Sequence, residues 1–253
     1  MIRSVWILIL ILITSGLPPI YSETPPPFSP QTNVGTPDTT ALGVVWTPPS
    51  DPDTAVAELS QIDRLGATAV RLTRLPADTV AARADTLGLD LYVDLPVKYV
   101  PASQLQDSLA RAASVLDRLR ALARRHTSIT HVGLAHTTDT TVPGACEILR
   151  RWTNRAREEE GALHTYYVTP FVAAADRCAD TVDRPLLDVR GHPSPVDQWH
   201  RWHSRTEGVG IGAVGTWVHP ATASGLRVPH SPEWQARHLE QTLSRLLDST
   251  RTP

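Results

Sequence analysis

Lysine is almost absent from this chain: Lys98 stands alone against a long series of arginines. Those arginines are spread along the sequence and the formal charge is −2, so the basic patch that nucleic acid or an anionic membrane surface requires is missing. No glycine-rich phosphate fingerprint follows the first β-like run, which reads GVVWTPPSD, and this leaves dinucleotide binding without support. A Gly-x-Ser-x-Gly elbow is also lacking, which excludes the usual serine hydrolase. His131, His136, His192 and His219 show no His-x-His pairing, and the first strand offers no ligand at all. A metal site is therefore not expected, and no cofactor is implied. Cysteine is limited to Cys146 and Cys178, whose spacing fits no metal motif.

The first residues are different in kind. Arg3 supplies positive charge, Val5 to Ile13 is an unbroken apolar run, and Gly16 to Ser22 is small and turn-forming. Thr14, Ser15 and Pro18-Pro19 interrupt the run well short of the ~20 residues a spanning helix needs. Residues 1–22 read as a signal peptide, with a membrane association only if it stays uncleaved. The absence of cysteine near this leader argues against a lipid anchor. Export to a periplasmic, cell-surface or extracellular location makes Cys146 and Cys178 candidates for a disulfide, although sequence leaves their proximity open. Residues 23–40, rich in proline and threonine without periodicity, read as an extended tether, and residues 41–253 as one domain.

Apolar residues make up 41% of the chain, and from Ala41 onward they alternate between short β-like runs and helical spacing. Strands are expected at Ala41–Thr47, Ala69–Thr73, Asp90–Leu95, Ile129–Ala135, His164–Thr169, Leu186–Val189 and Val209–Val218. Helices are expected at Asp51–Leu65, Asp78–Leu87, Ser103–Arg125, Cys146–Glu159, weakly at Ala173–Ala179, then at Val196–His203 and Pro232–Leu247. Seven βα units argue for a parallel sheet. A doubly wound sheet competes, but regularity favours an α/β fold of the TIM-type (β/α)₈ class that lacks its eighth strand. The edges of the first and seventh strands would then need cover from elsewhere.

In a parallel barrel the working residues sit at the C-terminal ends of strands. That rule selects Trp46, Arg71 and Arg74, Asp94, His136 and Asp139, Tyr166 or Tyr167, Asp188, Arg190 and His192, and finally Trp217 and His219. Aromatic faces stack on sugar rings while charged groups satisfy hydroxyls, so the set suits a carbohydrate. Asp94 and Asp188 also have a plainer reading as partners of barrel arginines such as Arg71 or Arg190.

The run GVVWTPPSDPDTAVAELSQIDRLGATAVRLTRLPADTVAARADTLGLDLYVDLP, together with HTSITHVGLAH and GVGIGAVGTWV, resembles the (β/α)₈ glycoside hydrolases that cleave with retention. The resemblance covers nearly all of residues 41–253. It implies a glutamate acid/base at the end of the fourth strand and a glutamate nucleophile on the seventh. The chain departs at both places: His136 or Thr137 falls on the first and Ala213 on the second. Retention needs two carboxyls ~5–5.5 Å apart, and neither position supplies one. The expectation is a non-catalytic, glycosidase-like protein that binds a carbohydrate or a protein partner through Trp46, Arg71, Asp94, Asp139, Tyr166, Asp188, Arg190, His192, Trp217 and His219. The alternative is an active hydrolase using Asp94, Asp139 and Asp188, since inversion tolerates ~6.5–9.5 Å between carboxyls.

Overall fold

The computed structural model describes residues 8–12, 41–136, 140–158, 163–169, 176–188, 195–203 and 210–213, with helical positions at 237, 240–242 and 244–245. Seven parallel strands, β2 (Ala41–Trp46), β3 (Ala69–Leu72), β4 (Asp90–Asp94), β5 (Ile129–His136), β6 (His164–Thr169), β7 (Arg184–Asp188) and β8 (Gly210–Ala213), pair in chain order into one curled sheet. The helices α1 (Pro52–Arg64), α2 (Asp78–Leu87), α3 (Ala102–Ala123), α4 (Pro143–Arg157) and α5 (Pro195–His203) alternate with them.

Local chemistry explains the boundaries. Asp51 caps α1 by accepting from the Thr54 amide at 2.9 Å, and a proline occupies the first turn, where its missing N–H costs nothing. Gly88 closes α2 at φ 68°, a left-handed conformation that glycine adopts without a Cβ penalty. Leu59 and Ile62 of α1, Leu105, Leu109, Leu116 and Leu119 of α3, and Leu149 and Trp152 of α4 are buried against the outer faces of Val44, Val70, Leu72, Val93, Val132 and Leu134. The opposite face of the strands closes a smaller inner cluster of Ala69, Tyr92, Tyr166, Val168 and Leu186. Strand alternation thus divides the core into two layers, as a barrel requires.

No eighth parallel strand is present among the described residues. The space between β2 and β8 is spanned instead by β1 (Leu8–Leu12), which pairs antiparallel with both: Leu8 opposite Val45, Leu12 opposite Ala41, and Ile11 opposite Ile211. These five residues belong to the apolar run that reads as the core of a leader. Loss of the leader would remove β1 and leave two strand edges with unpaired N–H and C=O groups.

The expected weak helix is absent over its described part. Asp176–Cys178 is irregular and leads into a 3₁₀ turn at Ala179–Thr181. Asp176 accepts from the Cys178 amide at 2.8 Å and from the Tyr167 hydroxyl at 2.7 Å, which holds the backbone out of a helix. Cys178 is disulfide-bonded to Cys146 of α4, with Cα atoms 4.7 Å apart. The remainder of that helix, the end of the seventh expected strand and most of the closing helix lie outside the described residues.

Near the N-terminal ends of the strands, the His131 ring stacks on Tyr92 at 3.9 Å, and Arg184 donates to the Tyr92 hydroxyl at 3.2 Å. Burial, and then the charges of Arg184 and His164, hold His131 well below its ordinary pKa, so it folds neutral. His126 moves the other way: burial opposes its charge, but hydrogen bonds to Asp85 and Asp78 outweigh it.

Two outcomes are expected. Replacing both cysteines by serine should cost about 3–4 kcal/mol in denaturant unfolding, because the bridge restrains a long loop in the unfolded chain. Below about pH 6.5 the unfolded chain protonates His131 while the folded chain does not, so this residue makes stability fall as pH falls, by about 1.4 kcal/mol per unit. His126, with its raised pKa, has the opposite sign and loses its contribution as pH rises through that value. Comparing His131→Phe with the parent across pH 5–7 isolates the first effect, and the variant's curve should be flatter on the acidic side.

Candidate functional site

The barrel interior is organised by one ion pair. Arg71 of β3 donates from Nε to Asp94 Oδ1 at 3.0 Å and from Nη2 to Asp94 Oδ2 at 2.9 Å, a bidentate contact. Its Nη1 donates to the Gly212 carbonyl of β8 at 3.0 Å, and the Tyr166 hydroxyl of β6 donates to Asp94 Oδ1 at 2.7 Å. Arg71 and Asp94 are 1% and 3% exposed, so this charge pair is fully withdrawn from water. Burial works against the guanidinium's charge, yet Asp94 and Tyr166 keep it firmly protonated. Burial, and then the neighbouring Asp94 carboxylate, push the Tyr166 phenol well above its ordinary range.

Close packing around this network also fixes two glycines. A Cβ at Gly133 would lie 2.7 Å from Asp94 Oδ1 and from the Tyr166 ring, and one at Gly212 would lie 2.8 Å from Leu186 Cβ. Glycine within a strand marks such close approach. The interior is therefore filled by side chains, and a ligand must bind above this layer.

Above it, β5 ends in His136 and β7 in Asp188, with His136 Nε2 at 3.7 Å from Asp188 Oδ2. The segment after β4 folds back on this strand end: His136 N donates to Val97 O, and Tyr99 N to His136 O, both at 2.9 Å. The Tyr99 ring stacks on His136 at 5.9 Å while remaining 67% exposed. Its φ of 54° is a left-handed conformation uncommon for an aromatic residue, and such outliers collect at binding sites.

Of the residues expected at the cleft, the structure joins Arg71, Asp94 and Tyr166 in the inner network and His136 with Asp188 at the mouth. Trp46 goes elsewhere: its indole is buried in the layer between sheet and helices and donates to Glu58 of α1 at 2.9 Å. Ala213 pairs with Asp188 in the β7–β8 ladder, and the described glycine that closes on the interior of β8 is Gly212. Thr137, Asp139, Arg190, His192, Trp217 and His219 lie outside the described residues. Tyr99 carries no sequence signal that separates it from a loop residue. Gly133 and Gly212 do carry one, since each interrupts an otherwise good strand.

No family model and no curated protein matches the sequence. The fold has clear relatives among solved structures. A GH2 β-galacturonidase from Eisenbergiella tayi bound to galacturonate superposes with a TM-score of 0.69 at 15% identity, over 82% of this chain and 43% of that one. A β-glucuronidase from an uncultured Clostridium gives 0.62 at 16% identity over 76% and 37%, and a β-D-glucuronidase from Dictyoglomus thermophilum 0.62 at 15% over 79% and 39%. The chain thus spans less than half the length of these glycosidases. What it shares with them is a glycosidase-like barrel fold.

Arg71→Met strands a buried carboxylate and should cost about 3–5 kcal/mol, whereas Arg71→Met combined with Asp94→Leu should recover most of that loss. Urea unfolding of the single and double variants measures the difference.

Proposed function

We propose that the chain is an exported, non-catalytic, glycosidase-like barrel that binds carbohydrate at the C-terminal mouth of its strands. The observation that carries this reading is the state of the carboxylates. At the C-terminal ends of the described parallel strands the carboxylates are Asp94 and Asp188. Both oxygens of Asp94 are engaged by Arg71 and one also by Tyr166, so the group is neither a free nucleophile nor a ready proton donor. β5 ends in His136, and β8 reads Gly-Ile-Gly-Ala without an acidic residue. The exposed Tyr99 ring beside His136 and Asp188 offers an aromatic face next to hydrogen-bonding groups, a combination suited to a pyranose. A protein partner at the same mouth is the other binding reading.

Export is supported by the leader-like N-terminus and by a disulfide of a kind that persists in oxidising compartments. Processing would remove β1, so the secreted form would have to tolerate or fill the position between β2 and β8.

The names of the structural relatives suggest the probes. An array of galacturonate-, glucuronate- and neutral-sugar glycans should retain the purified protein without release of reducing sugar. Peptide sequencing of the exported product should find a mature N-terminus near residue 23. The proximity of Asp188 to His136 favours one rival, hydrolysis through the non-standard carboxylates Asp94, Asp139 and Asp188. Reducing-sugar release that disappears in Asp188→Asn or Asp94→Asn would replace the binding reading with that one.

A further inference from the structure

A cavity lies at the C-terminal ends of β3 and β4, between the segments that follow these strands and α3. It measures about 450 Å³, within the range of small-molecule sites. Its walls are mainly apolar, from Leu75, Pro76, Pro96 and Val115, and Arg74 and Arg118 also line it.

Several surface arginines are already ion-paired. Arg125, Arg150, Arg151, Arg155 and Arg157 each lie within ion-pair distance of a carboxylate. Arg74 and Arg118 are exposed and make no ion pair with any described residue. The acidic groups closest to them along the chain or in the wall are already engaged. Asp78 binds Arg125 and His126, Asp117 lies 3.5 Å from Arg155, and Asp94, which touches the cavity, is neutralised by Arg71. Two uncompensated positive charges therefore line a cavity whose surface is otherwise apolar. The first turn of α2 adds to the same field, because its cap residue Ala77, also in the wall, has no side chain to satisfy the leading amides.

We propose that this cavity binds a small amphipathic carboxylate, its apolar body against Leu75, Pro76, Pro96 and Val115 and its carboxylate held by Arg74 and Arg118. A guanidinium presents parallel N–H donors that match the two oxygens of a carboxylate. An uncharged ligand of the same shape gains only the apolar contact. The cavity opens on the same face as the mouth, but Tyr99, His136 and Asp188 do not line it, and the assignment does not depend on sugar binding at those residues.

The test is calorimetric titration of the full chain at low ionic strength with 4-phenylbutyrate and, separately, with its primary amide. The acid is expected to bind at least about tenfold more tightly than the amide, with the advantage shrinking as salt is added. In the double variant Arg74→Gln/Arg118→Gln that preference should vanish while the melting temperature stays unchanged, since both side chains are exposed and free of internal ion pairs. Equal binding of acid and amide, binding of neither, or a preference that survives in the double variant would overturn the assignment.

Discussion

Everything inside the barrel is arranged around the contact between Arg71 and Asp94. Desolvating two charges is expensive, and the cost is offset by the bidentate geometry together with the further hydrogen bonds to the Gly212 carbonyl and from the Tyr166 hydroxyl. Arg71 reaches from β3 to the backbone of β8, and Asp94 on β4 is met by Tyr166 on β6, so four strands are tied through one cluster. The same cluster dictates glycine at 133, because a methyl group there would overlap the carboxylate. The consequence is a division of space: Asp94, one of the three acidic residues the sequence offers for chemistry, is engaged in holding the barrel together, as its plainer reading expects.

A fold and the chemistry placed on it answer to different constraints. The glycosidase-like scaffold survives at 15% identity to a structural relative, which shows that the fold needs the alternation of the layers more than any particular side chain. Catalysis is less forgiving, since it needs specific carboxyls at specific distances. His136 opposite Asp188, with Tyr99 stacked on His136, gives the strand ends a polar and aromatic character.

Much of the fold was legible in the residues because each element carries its own punctuation. Asp51 with Pro52 starts α1, Gly88 ends α2, and the apolar runs at Ala69, Asp90 and His164 begin where the strands begin. Reading the site was harder, since it depends on which face a residue occupies. Trp46 and Arg71 both sit near strand ends on neighbouring strands, yet alternation sends the indole outward to Glu58 and the guanidinium inward to Asp94. The irregular stretch at Asp176–Cys178 was misread as helical because its alanine-rich composition hides the disulfide and the Asp176 turn that govern it. Tyr99 was invisible for a similar reason: a left-handed backbone in a tyrosine is imposed by the bridge to β5, which no local pattern records.

The antiparallel strand that spans the barrel has a consequence in time. Ile11 meets Ile211, so one border of β1 has no counterpart until synthesis has passed Ile211. At ~5–20 residues per second that delay is roughly 10–40 s. Throughout this interval the apolar N-terminal stretch is held at most by β2, and any machinery that recognises it competes with a half-made ladder. Were these residues an export address, the order of the two events would decide whether they end as a stave of the barrel or are discarded.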